Sequence, residues 1–178
     1  MKIYVSGGCK NGKSMFAQKL AQNMSLDQGV PLYYVATMRP VDDEDLARIA
    51  RHIKEREGWG FTTIEQSQDI DRILEAEGVE PGGSFLLDSV TALLSNEMFG
   101  TDGSFNPQAG QKVAEDLCRL AEKTENLVFV SDYIYGDGPF FDEYTECYRR
   151  GLAYIDRQVA KRCQRVMEVS YGQIVDYK

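Results

Sequence analysis

Residues 7–14 read Gly7-Gly8-Cys9-Lys10-Asn11-Gly12-Lys13-Ser14, which fits the pattern G-x-x-x-x-G-K-[ST]. The residues before this loop, Lys2–Ser6, predict a short strand, and those after it predict a helix through about Met24. The glycines let successive backbone N–H groups surround a phosphate, and the helix N-terminus adds partial positive charge. We therefore expect Lys13 to contact the terminal phosphates of a nucleotide and the Ser14 hydroxyl to ligate Mg²⁺.

Strand-like and helical segments alternate along the rest of the chain. The predicted strands are Lys2–Ser6, Val30–Ala36, Phe61–Ile64, Ser84–Leu87, Leu127–Ser131, Arg165–Ser170 and Gln173–Asp176. After the helix that ends near Met24, the predicted helices are Asp42–Glu57, Asp69–Glu77, Ser89–Phe99, Gln111–Lys123 and Glu143–Cys163, with loops over Gly100–Gly110 and Asp132–Pro139. This order predicts an α/β fold: a mostly parallel sheet with helices on both faces and an antiparallel hairpin at its C-terminal edge. Because no repeat or change of composition interrupts the pattern, we expect residues 1–178 to form one domain.

The charge balance and the cysteines restrict the class of protein. The 178 residues include 20 Lys and Arg against 28 Asp and Glu, a net charge of −8, which disfavours nucleic acid or an anionic membrane as partner. No apolar run reaches the roughly 20 residues that span a bilayer, and no signal peptide is expected after Met1. Cys9, Cys118, Cys147 and Cys163 contain no Cys-x-x-Cys pair, so neither a disulfide framework nor a zinc site is expected. These features predict a cytoplasmic protein.

Asp88 follows the apolar strand Ser84–Leu87 and has two interpretations. An acid at the end of a strand in a nucleotide-binding site can hold Mg²⁺, directly or through water. The same carboxylate could instead cap the helix predicted over Ser89–Phe99. The sequence leaves both interpretations open.

The only histidine, His52, lies between Arg48 and Arg56 at four-residue spacing. This spacing places the three side chains on one helix face. Because two neighbouring cations disfavour a third positive charge, we expect a neutral, nucleophilic imidazole near pH 7 that can attack phosphorus. The alternative is a solvated surface in which Asp45 and Glu55 pair with the arginines.

Five segments together resemble a known family. They are GGCKNGKS (residues 7–14), YVAT (34–37), DDEDLARIARHIKER (42–56) followed by Trp59 and Glu65, LLDSVTALLSN (86–96) and EVSYGQIVDY (168–177). The chain is similar in these segments, and in their order, to the bifunctional adenosylcobinamide kinase/adenosylcobinamide-phosphate guanylyltransferase family of cobalamin biosynthesis. The likeness covers nearly the whole chain, and the combination of phosphate loop and histidine motif is specific.

The resemblance implies a function and a set of site residues. It implies a RecA-like P-loop NTPase domain in a homotrimer that phosphorylates the corrinoid adenosylcobinamide with ATP or GTP. It also implies that His52 accepts GMP from GTP as a phosphoramidate, releases pyrophosphate, and passes GMP to adenosylcobinamide phosphate, giving adenosyl-GDP-cobinamide. His52 and Lys13 are then catalytic, and Ser14 and Asp88 hold Mg²⁺. The implied nucleotide contacts are Gly7, Gly8, Cys9, Lys10, Asn11, Gly12, Lys13, Ser14, Ala36, Thr37, Met38, Ile53, Lys54, Glu55, Arg56, Glu65 and Asp88.

The sequence also departs from the family pattern at four places. Lys10-Asn11 replaces the usual Arg-Ser, Asp88 stands where Glu is frequent, Ser131–Gly136 replaces an Asn-Glu-Val-Gly-like segment, and Asp156 replaces an asparagine. These positions are expected near the corrinoid or the metal. Two other interpretations therefore stay open: a P-loop small-molecule kinase without guanylyltransferase activity, and a non-catalytic nucleotide-sensing subunit.

A group of aromatic residues follows the fifth predicted strand: Tyr133, Tyr135, Phe140 and Phe141. Their rings could stack on a large planar ligand. They could equally pack this loop onto the core.

Lys13→Ala is expected to weaken nucleoside triphosphate binding under all three interpretations, because the ammonium group contacts the terminal phosphates. The expected loss is about tenfold or more, the size of one charge-assisted hydrogen bond. Titration with non-hydrolysable ATP and GTP analogues measures it, with Lys19→Ala, on the same predicted helix, as control. Unchanged affinity in Lys13→Ala would show that residues 7–14 do not bind phosphate.

Overall fold

The computed structural model describes residues 1–135 and 141–178. The strands in these ranges are β1 (Lys2–Gly7), β2 (Leu32–Ala36), β3 (Thr62–Glu65), β4 (Ser84–Asp88), β5 (Asn126–Asp132), β6 (Arg165–Ser170) and β7 (Gln173–Asp176). The α-helices are α1 (Lys13–Gln28), α2 (Asp43–Glu55), α3 (Val90–Met98), α4 (Ala109–Lys123) and α5 (Glu143–Arg162), and a 3₁₀ helix covers Ile70–Glu75.

The strands form one sheet in the order β3-β2-β4-β5-β1-β6-β7. Each neighbouring pair is parallel except β6 and β7, which are antiparallel. β1 therefore lies between β5 and β6, and its last residue, Gly7, is in register with Asp132 at the end of β5. The arrangement confirms the predicted mostly parallel α/β sheet with its C-terminal antiparallel edge, and it brings the carboxyl ends of β1 to β5 to one edge.

Helices cover both faces of the sheet. On one face, α1 packs against inward-pointing strand residues such as Leu86 and Val128. On the other, α3, α4 and α5 pack against residues such as Phe85, Leu87 and Phe129. Because successive strand residues point to opposite faces, a strand that is buried on both sides is a continuous apolar run, as in β4 and β5. Within residues 1–135 and 141–178, no helix has the length and apolar character needed to cross a membrane.

Several predicted boundaries differ from the structure, for local reasons. α1 continues beyond Met24 to Gln28 and ends at Gly29, which adopts a left-handed conformation and donates its N–H to the Ser25 carbonyl. The segment predicted as the helix Asp69–Glu77 is only a 3₁₀ helix, which begins after Asp69 in a left-handed conformation. The predicted loop Gly100–Gly110 ends earlier, since α4 begins at Ala109.

The helix-capping interpretation of Asp88 is wrong. Ser89 occupies the N-cap of α3, and its hydroxyl accepts a hydrogen bond from the Ala92 N–H (3.2 Å). Asp88 is instead the last residue of β4. The Asp88 carboxylate is thus available for the site at the carboxyl edge of the sheet.

A buried carboxylate joins α5 to the centre of the sheet. Asp156 is 5% exposed and accepts hydrogen bonds from the hydroxyls of Tyr4, Ser131 (3.1 Å) and Tyr135 (2.8 Å). Burial raises the pKa of Asp156 to about 6, and the three hydrogen bonds, which favour the charged form, do not cancel this effect. The carboxyl group is therefore more easily protonated in the folded chain than in the unfolded one.

Asp156 is expected to make the free energy of unfolding fall as the pH rises from about 4 to about 6. In this range the folded protein holds a proton that the unfolded chain has lost, because the pKa is about 6 when folded against an ordinary value of 3.8. The full effect is about 3 kcal/mol. The substitution Asp156→Asn introduces a neutral residue of the same shape and so removes the contribution of this carboxyl group to the pH dependence of stability. The variant therefore gains stability relative to the parent as the pH rises.

Denaturant unfolding of both proteins between about pH 4 and about pH 7 measures this difference. The other carboxyl groups are common to the two proteins and drop out of the comparison. A stability difference that does not vary with pH would contradict the account of Asp156.

Candidate active site

The phosphate loop leaves β1 at Gly7 and enters α1 at Lys13. Gly7 has φ +155°, and a side chain there would collide with Asn11 and with the Val169 carbonyl of β6. The Asn11 amide donates a hydrogen bond to this same carbonyl, while its oxygen accepts from the Lys13 N–H (3.2 Å). Gly12 precedes α1 in a left-handed conformation, φ +90°. These contacts hold the loop at the N-terminus of α1, as the motif predicts.

Lys13 is held at the bottom of this loop by an acidic residue. Its Nζ lies 2.5 Å from Oδ1 of Asp132 and donates to the Gly8 carbonyl (3.1 Å), and the side chain is only 9% exposed. The Thr91 hydroxyl donates to the other carboxylate oxygen of Asp132 (3.0 Å) and accepts from its N–H (3.1 Å). The Asp132 carboxylate thus pairs with the Lys13 ammonium group, to which the phosphate oxygens of a nucleotide are expected to bind.

Asp88 and Ser14 form the second polar cluster. The Tyr34 hydroxyl donates to the Asp88 carboxylate (3.1 Å), and the Ser14 hydroxyl lies close to the same carboxylate. Burial raises the pKa of Asp88, while the Ser14 and Tyr34 hydroxyls and the nearby His52 and Lys13 act in the opposite direction. A hydroxyl and a carboxylate beside a phosphate loop are the hard oxygen ligands that Mg²⁺ takes together with phosphate oxygens. The residues present therefore fit a magnesium ion.

His52 is carried by α2, a helix at the surface. The Asp42 carboxylate caps the helix by accepting from the Asp45 N–H (2.9 Å). His52 is 29% exposed, and its Nδ1 lies 3.3 Å from Oε2 of Glu55. Within the described ranges Asp45 and Glu55 form no ion pair with Arg48 or Arg56, so the alternative of a surface neutralised by these pairs is not observed.

A cleft of about 920 Å³ opens between the phosphate loop and α2. The ends of four strands contribute to it through Ala36, Glu65, Asp88 and Asp132, and Arg48, His52 and Arg56 all line it. The predicted site residues that line it are Cys9, Lys10, Asn11, Gly12, Lys13, Ser14, Ala36, Met38, His52, Glu55, Arg56, Glu65 and Asp88. One space therefore brings together the phosphate loop and the histidine.

Five predicted contact residues are not among those that line the cleft: Gly7, Gly8, Thr37, Ile53 and Lys54. Gly7 is the last residue of β1, and the carbonyl of Gly8 accepts a hydrogen bond from Lys13. Thr37 is buried, and its hydroxyl donates to the Ser89 carbonyl (2.7 Å) and accepts from the Ser89 N–H (2.7 Å). Ile53 and Lys54 line a separate groove, next to Gly58 and Phe61.

Sequence reasoning gave no individual role to several polar residues that also line the cleft, among them Tyr34, Thr91, Asp132 and Tyr148, although Asp132 lies in the segment Ser131–Gly136 that was expected near the corrinoid or the metal. For Asp132 a signal was present, since it ends an apolar strand as Asp88 does. Tyr34 lies inside a strand, where an aromatic residue is typical of the core. Thr91 and Tyr148 lie on helices, where no local pattern distinguishes them.

The aromatic residues after β5 lie outside the cleft, as far as the structure describes them. Tyr135 packs against the core and bonds to Asp156, whereas Tyr133 and Phe141 are about half exposed. Phe140 and the end of the predicted loop Asp132–Pro139 lie outside the described residues. For Tyr135 the contacts are those of the packing interpretation.

The family model for cobinamide kinase / cobinamide phosphate guanyltransferase matches residues 3–177. The bifunctional adenosylcobalamin biosynthesis protein CobU of Escherichia coli (strain K12) is 35% identical over 108 residues, which are 60% of this chain and 55% of that protein. CobU of Salmonella typhimurium is 31% identical over 108 residues, 61% of this chain and 56% of the relative. The matched stretch thus spans a little over half the length of these two relatives. CobP of Pseudomonas aeruginosa is 29% identical over 168 residues, 93% of this chain and 91% of the relative.

Two solved structures share the fold. The KaiC-like protein of Pyrococcus horikoshii OT3 superposes with a TM-score of 0.51 at 14% identity, covering 99% of this chain and 78% of that one. The ATPase domain of G40P has a TM-score of 0.52 at 13% identity, covering 94% and 68%. The likeness is one of fold, and it confirms the predicted mostly parallel α/β sheet with helices on both faces.

Asp132→Asn is expected to tighten nucleotide binding by roughly three- to tenfold, because triphosphate then no longer competes with a carboxylate for Lys13. Asparagine keeps an oxygen for the Thr91 hydroxyl. Titration with a non-hydrolysable GTP analogue measures the change. Asp27→Asn, at the exposed far end of α1, makes the same change in net charge and is the control. Weaker or unchanged binding in Asp132→Asn would contradict this competition.

Proposed function

This chain belongs to the cobinamide kinase / cobinamide phosphate guanyltransferase family, and from that premise we propose that it phosphorylates adenosylcobinamide and guanylylates the product. The observation that carries the proposal is the position of His52, which lines the same cleft as Lys13 and Ser14 of the phosphate loop. A phosphate loop alone serves many reactions, whereas a nucleophilic side chain facing it supports group transfer through a covalent intermediate.

In the guanylyl transfer, a ring nitrogen of His52 attacks the α-phosphorus of GTP. The N–P bond forms as the bond from phosphorus to the bridging oxygen breaks, and pyrophosphate leaves with that electron pair. A phosphate oxygen of adenosylcobinamide phosphate then attacks the same phosphorus, the N–P bond breaks, and adenosyl-GDP-cobinamide is released with the imidazole restored. The Glu55 carboxylate lies 3.3 Å from Nδ1 without accepting a hydrogen bond from it, so its negative charge is close to the ring when the N–P bond forms.

In the kinase step, a hydroxyl oxygen of adenosylcobinamide attacks the γ-phosphorus of ATP or GTP. The bond from that phosphorus to the bridging oxygen breaks, the nucleoside diphosphate leaves with its electron pair, and the hydroxyl proton passes to solvent. The loop N–H groups and Lys13 hold the phosphates in line and offset the negative charge that develops on them. Ser14 and Asp88 would hold Mg²⁺, which would neutralise phosphate oxygens. Lys13 must leave Asp132 to reach the phosphates, so the exchange of Asp132 for phosphate accompanies binding.

The rest of the site is proposed to hold the nucleotide and the corrinoid. Ala36, Met38 and Glu65 line the cleft on the side of β2 and β3, and Glu55 and Arg56 line it from the end of α2, which supports nucleotide contacts there. One sheet contains β1 to β7, which supports a single domain over residues 1–178. A homotrimer and a cytoplasmic location are further parts of the proposal and rest on the resemblance to the family.

Incubation with α-labelled GTP and Mg²⁺ tests the guanylyl intermediate. The protein is expected to retain acid-labile label, and γ-labelled GTP is expected to leave none, because the β- and γ-phosphates depart as pyrophosphate. His52→Ala removes the label, since the sequence contains one histidine. Glu44→Ala, at an exposed position on α2 that does not line the cleft, is the control and retains it.

Label that survives His52→Ala would refute the assignment of His52. A protein that consumes the γ-phosphate of a triphosphate but never gains label would instead be a kinase without guanylyltransferase activity.

A further inference from the structure

We propose that Tyr34 and Arg56 are positioning residues that fix His52 relative to the phosphate loop, by fastening α2 to the carboxylate of Asp88. The consequence for His52 rests on the proposed function. The fastening itself does not, because it is a property of the protein without nucleotide.

The helix that carries His52 has little packing of its own. Within the described chain, none of the side chains of Asp43–Glu55 is buried, and Leu46 and Ile53 are 53% and 56% exposed. Helices in proteins are stabilised mainly by burying an apolar face. The N-terminal cap is local, since Asp42 bonds only to the next turn. The position of α2 therefore depends on the residues at its C-terminal end.

Arg56 is the buried residue at that end. Its N–H donates to the carbonyls of His52 (3.3 Å) and Ile53 (3.1 Å), so its backbone is part of the last turn of the helix. Its side chain leaves the helix, is 8% exposed, and places Cζ 3.5 Å from the ring centroid of Tyr34. A guanidinium group stacked on an aromatic face away from water is a strong and directional contact.

Tyr34 connects Arg56 to the side of the cleft that contains the phosphate loop. It lies on β2, is 5% exposed, and is held on its edge by Phe61, whose ring centroid is 5.9 Å away. Its hydroxyl donates to Asp88 (3.1 Å), and the Asp88 carboxylate lies close to the hydroxyl of Ser14 in the phosphate loop.

The segment after α2 adds a second attachment at the same end. The Trp59 N–H donates to the Arg56 carbonyl (3.1 Å), and the Trp59 carbonyl accepts from the Gln22 amide of α1 (2.9 Å). Gln22 and Asn11 belong to the helix and the loop that form the phosphate site. Both attachments therefore hold His52 in a fixed position relative to the phosphate loop. In-line attack on phosphorus requires such a fixed position.

The contacts define a set of variants. Tyr34→Leu and Arg56→Gln remove the stack, Tyr34→Phe keeps the ring but loses the bond to Asp88, and Arg56→Lys keeps the charge. Tyr33→Phe is the matched control: this neighbouring tyrosine of β2 lies on the opposite face, bonds to the Gly78 carbonyl (3.1 Å) and does not line the cleft. Amide hydrogen exchange over residues 43–55 is measured without nucleotide, and the rate of GMP attachment at saturating GTP is measured beside the KM for GTP.

Tyr34→Leu and Arg56→Gln are expected to raise exchange in α2 by about tenfold or more and to lower the rate of GMP attachment by a similar factor. The KM in Tyr34→Leu changes by less than about threefold, because phosphate binding is left intact. Arg56→Lys is expected to show a smaller rise in the exchange of α2 and a smaller fall in the rate of GMP attachment than Arg56→Gln. Tyr34→Phe retains slow exchange in α2 and loses only part of the rate, and Tyr33→Phe behaves as the parent. If Tyr34→Leu does not fold, Tyr34→Phe and the two Arg56 variants give the same comparison.

Unchanged exchange over residues 43–55 in Arg56→Gln and Tyr34→Leu would overturn the fastening. Raised exchange with an unchanged rate of GMP attachment would overturn the positioning role. If the parent protein attaches no GMP at all, the proposed function fails, and exchange in the nucleotide-free variants still decides whether Tyr34 and Arg56 hold α2.

Discussion

The carboxylate of Asp88 is the contact on which both sides of the cleft depend. It lies at the end of β4, accepts a hydrogen bond from Tyr34 of β2 and lies close to the hydroxyl of Ser14 in the phosphate loop. Removing it would leave the buried Tyr34 hydroxyl without its acceptor. Through Tyr34 and Arg56 the same carboxylate reaches the helix of His52. Its loss would therefore affect the proposed metal site and the proposed nucleophile together.

Strand order explains why acids and cations meet at this edge. β1 lies beside β5, so the phosphate loop that follows β1 lies beside Asp132, and Lys13 pairs with it. β4 lies beside β2, so Asp88 meets Tyr34. In a chain of net charge −8, the cleft nevertheless gathers Lys13, Arg48 and other cations around its acids. In the proposed function a triphosphate replaces Asp132 on Lys13, so the carboxylate holds a negative charge where the triphosphate would bind.

Much of this arrangement could be predicted from local sequence. The strand, glycine-rich loop and helix at residues 2–24 follow from periodicity and backbone chemistry, and the four-residue spacing of Arg48, His52 and Arg56 does bring them to one cleft. The pairs Lys13–Asp132 and Arg56–Tyr34 could not be predicted, since they join residues far apart in sequence and depend on the order of strands. The capping interpretation of Asp88 failed because Ser89, one residue later, has the hydroxyl at the geometry the helix needs.

The most direct test of the account is to locate the covalent product within the chain. Protein incubated with GTP and Mg²⁺ is digested at neutral pH and mapped by tandem mass spectrometry, which assigns the modified residue. The account predicts one GMP, on the peptide that contains His52 and on the histidine itself. GMP on a residue of the phosphate loop such as Lys13, or unmodified His52 in a protein that binds and consumes GTP, would contradict it.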